Sequence, residues 1–101
     1  MSDDFGFAPP PFKPDEALER LKRDLRALRV FSERGAAFEW KGRAAVELGL
    51  ETVNGSAVLK LRLAKRPAVN PEWELRWLKS NAEARSALDE IKRRVARWGE
   101  E

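Results

Sequence analysis

Asn54-Gly55 stands between two runs of alternating apolar and polar residues, and no other dipeptide here constrains the fold so tightly. Asn-Gly tolerates positive φ at both centre positions of the tight turn whose twist suits a β-hairpin. A turn of that length also sets the register. Pairing Val53 with Ser56 brings Leu50 opposite Leu59, Leu48 opposite Leu61 and Val46 opposite Leu63. The same register places Glu47 opposite Arg62 on the other face. One turn therefore aligns an apolar face and a charge-complementary face together, as a genuine pair of strands requires.

Helical periodicity flanks this hairpin. Leu18, Leu21, Leu25 and Leu28 recur at spacings of three and four, and Phe31 continues the stripe. Pro14 suits a first helical turn, Asp15 and Glu16 complement the dipole, and Gly35 supplies a stop. Arg29 and Glu33 then fall at i,i+4 on the wet face. Beyond Gly35 the period becomes two, with Phe38 and Trp40 leading into a Lys41-Gly42 turn. The segment 70–80 reads either way. Trp73 and Trp77 are an i,i+4 pair, yet Trp73, Leu75 and Trp77 also alternate with Glu74 and Arg76. A capping box at Ser80 and Glu83 opens a fresh helix, which favours a strand before it. Ala84, Leu88, Ile91, Val95 and Trp98 form the stripe of that last helix.

The expected fold is α+β: an N-terminal helix, an antiparallel sheet of three or four strands and a C-terminal helix. Both helices cover one face of the sheet in a two-layer sandwich, the economical way to bury two apolar stripes and one apolar face. Read consistently, Phe38, Trp40, Trp73 and Trp77 belong to the buried face. Arg43, Glu47, Lys60, Arg62, Glu74 and Arg76 then line the open one. A chain of 101 residues makes one domain, placed at 14–98 between an N-terminal tail (1–13, with Phe5, Phe7, Phe12 and a run of prolines) and a short C-terminal tail (99–101).

Composition narrows the chemistry. The chain has no Cys and no His, which removes disulfides, the thiol nucleophile, the commonest metal ligand and the commonest general base. Glycines are dispersed and none opens a helix, so no phosphate-cradling loop is expected. No three carboxylates gather at ligand spacing, and no apolar run reaches the roughly 18–20 residues of a membrane span. The sequence thus points away from an enzyme, a cofactor, a metal and a membrane. With no leader in "MSDDFGF", the expected location is the cytoplasm.

Binding remains. Net charge is +3, from 20 bases against 17 acids, too even for a surface built mainly to hold phosphates. Four Trp are many for so small a core. Trp98 near the end and Trp40 beside a turn are expected to be partly exposed, and with Phe5, Phe7 and Phe12 they are the candidate anchors for another protein or a second copy. An unpaired edge strand is a further docking device. The alternative is a nucleic-acid module that grips the phosphate backbone. Lys65 and Arg66, at the turn before Pro67, would serve it together with Arg94 and Arg97 of the last helix. Lys60 and Arg62 look committed to acids such as Glu47, whereas Lys65 and Arg66 have no obvious partner in the sequence.

Overall fold

In the computed structural model, which describes residues 12–100, strands β3 (Arg43–Val53) and β4 (Ser56–Ala68) pair in the register the turn demands. Val53 faces Ser56, Leu50 faces Leu59, Leu48 faces Leu61, Val46 faces Leu63 and Glu47 faces Arg62. Asn54 and Gly55 take φ of 53° and 79°. Lys41 and Gly42 repeat the geometry at 52° and 80°, joining β2 (Ala37–Trp40) to β3. Consecutive positive φ values are what such turns require and what most side chains resist.

Among the described residues the sheet has five strands, not three or four, in the order β1-β2-β3-β4-β5, each antiparallel to its neighbour. The strand missing from the sequence reading is β1 (Phe31–Arg34), whose first residue continues the leucine stripe by spacing alone. Helix α1 (Pro14–Ala27) ends before it, and Arg29 at φ 60° turns the chain into the sheet. Phe31 then lies opposite Trp40 and meets the Phe38 ring edge-on at 6.1 Å. The expected Arg29–Glu33 helix pair does not form. Glu33 instead accepts two hydrogen bonds from Arg26, at 2.6 and 2.9 Å, and these hold its carboxyl below the usual range. At the other end of the sheet, 70–80 resolves as strand β5 (Trp73–Leu78), followed by α2 (Asn81–Glu100). The α2 start is capped as its sequence implies: Glu83 N–H donates to Ser80 Oγ at 3.1 Å, and Lys79 N–H donates to Glu83 Oε1 at 2.6 Å.

One buried cluster joins all of this. Leu21 and Leu25 of α1 and Ala87, Ile91 and Trp98 of α2 meet Phe38, Val46, Leu48, Leu59, Leu61, Leu63 and Leu78 of the sheet. Leu59, Leu61 and Leu63 on β4 are entirely shielded, each contributing about 1.5–3 kcal/mol of burial. Phe12 packs against the same cluster, while Phe5 and Phe7 lie outside the described residues.

Candidate functional site

The register of β5 decides which of its residues meet solvent. Leu78 pairs with Leu59, Arg76 with Leu61 and Glu74 with Leu63, so these three share the face that carries the core. Trp77 pairs with Lys60, Leu75 with Arg62 and Trp73 with Ala64, so the alternate residues point the other way. This corrects the expected orientation, in which the indoles packed inside and Glu74 and Arg76 faced out. Leu75 is 50% exposed and Trp77 36%, a contiguous apolar row on the terminal strand of the sheet.

Charge is arranged around that row in columns. Arg62 lies over the Trp73 ring at 5.7 Å from its centroid, and Lys60 over the Trp77 ring at 5.6 Å. Each cation also reaches an acid on β3: Lys60 Nζ is 2.9 Å from Glu51 Oε1, and Arg62 Nη1 is 3.2 Å from Glu47 Oε1. Acids, bases and rings thus follow one another across β3, β4 and β5. The cations hold the ring faces through their π-electrons while leaving the edges available. Aromatics interleaved with cations on this face were not expected. The deciding contact is Leu78, two residues before the Ser80 cap, which turns inward against Leu59, and alternation then turns Trp77 out.

The inward acid of β5, Glu74, is met by Arg94, whose residue is only 8% exposed. Its Nε donates to Glu90 Oε2 at 2.8 Å, its Nη1 to the Ala64 carbonyl at 3.1 Å, and its Nη2 to Glu74 Oε1. Burial works against the Arg94 charge, but the Glu90 and Glu74 hydrogen bonds outweigh it and raise its pKa. Glu90, bonded first to Arg94 and then to Arg93, is brought down to about 2. Arg94 is therefore an internal clamp and is not displayed for a phosphate.

The other sequence-derived candidates separate. Trp98 is 4% exposed and Trp40 is half-buried, their rings 5.9 Å apart, so the partial exposure expected of Trp98 is not found. Trp98 Nε1 donates to the Lys65 carbonyl at 3.4 Å, and Lys41 sits over Trp40 at 4.6 Å. Lys65 and Arg66 are not in a turn: β4 continues through Pro67 to Ala68, where Ala68 faces Ala44 beyond a register irregularity, the setting in which a strand tolerates proline. Lys65 has a partner after all, Glu72 at 3.3 Å. Arg66 lines a groove of about 570 Å³ with Trp40, Lys41, Arg43, Pro67 and Trp98. Arg97 is exposed on α2.

Among the described residues, no three His, Cys, Asp or Glu are grouped to hold a metal ion, and no helix is long and apolar enough to cross a membrane. No family model matches the chain, and neither a curated protein nor a solved structure does.

Proposed function

We propose that the protein is a non-enzymatic cytoplasmic binding domain that joins another protein, a second copy included, through β5 and the apolar row on its outer side. The observation that carries this reading is the exposure of Leu75 and Trp77, two residues apart on a strand whose outer edge is unpaired among the described residues. Neighbouring exposed apolar residues with an indole among them are the usual material of interface anchors. The reading takes the fold as a two-layer sandwich with both helices on one face, which leaves the row to a partner. The single buried cluster shared by both helices and the sheet supports that arrangement. The absence of Cys and His supports the non-enzymatic half. A photo-crosslinking residue at position 75, compared in cells with one at the exposed Arg85 of α2, tests it. Protein adducts are expected from position 75 and not from 85. Equal yields, or none at 75, refute the reading.

A second reading rests on the groove of Trp40, Lys41, Arg43, Arg66 and Trp98, where three cations and two indoles line one concavity. Such a site suits the phosphate of a nucleic acid. Amide shifts at 40–43 and 66 on adding short oligonucleotides, fading as salt rises, would put this reading first. Unmoved shifts remove it.

A further inference from the structure

The edge of β5 carries more information than its exposure. Lys65 N–H donates to the Glu72 carbonyl at 3.0 Å, so Glu72 turns its backbone groups toward β4. In an antiparallel ladder this direction alternates, so Glu74 and Arg76 also bond inward. Trp73, Leu75 and Trp77 therefore present their N–H and C=O groups at the open edge. A strand docking there must pair with these three, and in a continuous sheet it must set like face against like face.

We propose that the docked strand is β5 of a second copy, antiparallel about a two-fold axis through Leu75, so that two five-stranded sheets become one. The proposal rests on the reading above and names its partner. With Leu75 opposite its own copy, Trp73 falls opposite Trp77 of the second chain and Glu74 opposite Arg76. The outer face gains two cross-strand Trp pairs with the two Leu75 side chains between them. The inner face gains two pairs of opposite charge, and Glu74 keeps 36% of its side-chain surface available beside Arg94. The neighbouring registers that respect the backbone directions fail. One sets Glu74 against Glu74, and the other sets Arg76 against Arg76. Inward charges on an edge strand ordinarily block pairing. Here their order, acid then base two residues on, blocks every nearby self-pairing except one. A strand that is self-complementary about one residue is what a two-fold interface needs.

The chain contains no Cys, so single thiols report the register directly. Light scattering on the native protein is expected to give twice the 11.5 kDa of one chain, falling toward one chain on dilution. Under mild oxidation Leu75→Cys is expected to cross-link to itself, because hydrogen-bonded partners lie about 5.5 Å apart at Cα, within disulfide reach. Trp73→Cys and Trp77→Cys should each cross-link poorly alone and well when mixed, while Ser32→Cys on the opposite edge strand stays single. Arg76→Glu turns two attractive pairs into two repulsive ones and should weaken dimerisation about tenfold or more. Thermal melts verify that each variant folds; if a Trp variant does not, Leu75→Cys and Arg76→Glu decide. A mass of one chain at every concentration overturns the proposal, as does cross-linking of Trp73→Cys with Leu75→Cys in place of Trp77→Cys. If that mass is found while adducts at position 75 persist, the self-pairing falls and the binding reading stands. Loss of both removes both.

Discussion

Arg94→Met is the perturbation that most directly tests how β5 is held. Methionine keeps most of the volume but removes every donor of the guanidinium. Three hydrogen bonds disappear, to Glu90, Glu74 and the Ala64 carbonyl, the last on a residue with no exposed surface. Breaking a fully buried ion pair costs about 3–5 kcal/mol. The two carboxylates here retain some access to water, with side-chain exposures of 36% for Glu74 and 20% for Glu90, and Glu90 keeps Arg93. Those facts lower the charge contribution, while the stranded carbonyl adds about 1–3 kcal/mol. A net loss of about 3 kcal/mol is expected. In urea, with a slope near 1.5 kcal/mol per molar, that moves the unfolding midpoint down by about 2 M.

The pH dependence supplies an independent check. Glu90 has its pKa lowered from 4.5 to about 2 in the folded chain, by the hydrogen bond from Arg94 and then by that from Arg93. A lowered carboxylate pKa stabilises the fold above the unfolded value, and that contribution is lost as pH falls from 4.5 toward about 2. Arg94→Met removes the larger cause, so the variant should show a weaker acid dependence. The gap between variant and native protein should narrow as pH falls through this window. A loss below about 0.5 kcal/mol at neutral pH, within the range of ordinary surface substitutions, would refute the account of Arg94 as a clamp. A gap unchanged by acid would refute the account of Glu90.

Three further substitutions probe local steps. Gly55→Ala meets no atom within 4 Å, so its cost is the strain of φ 79° alone, about 1 kcal/mol in a denaturant titration. Ser80→Ala removes the oxygen that accepts from Glu83 N–H and should cost about 1 kcal/mol, with amide exchange accelerated at the start of α2. Trp98→Ala empties a site that is 4% exposed against Trp40 and should lower stability by about 3–5 kcal/mol, whereas a surface anchor would leave the melting temperature unchanged.

What could be read from the sequence was local. The Asn54-Gly55 turn, the hairpin register and the Ser80–Glu83 cap each depend on residues a few positions apart, and the structure shows them as expected. The end of α1 was hidden because Phe31 follows Leu28 at a spacing that suits a helix, while its actual partners, Trp40 and Phe38, belong to the sheet. The pairing of Lys65 with Glu72 needed β4 to continue past the residues that look like a turn. For β5, alternation said that Trp73 and Trp77 share a face but not which way that face looks. That choice was made by Leu78 against Leu59, and by a guanidinium 20 residues further along the chain than Glu74.

The orientation of β5 also bears on what the strand is for. Turned over, it would bury Trp73, Leu75 and Trp77, worth roughly 2 kcal/mol for each side chain shielded, and would release Glu74 and Arg76 to water. The chain instead keeps the charges inside, where Arg94 must be drawn out of solvent to meet Glu74, and leaves the rings and the leucine outside. Burial of those three side chains alone favours the opposite choice, although a flip would give up Leu78, which is only 3% exposed. Departures from local consistency concentrate where a surface is used. In the proposed pairing, a second β5 laid along the edge gives each outer residue an apolar neighbour, gives Arg76 an acid and gives Glu74 a second cation beside Arg94. The buried clamp and the exposed row are two consequences of one register, and the edge they leave open is complementary to itself.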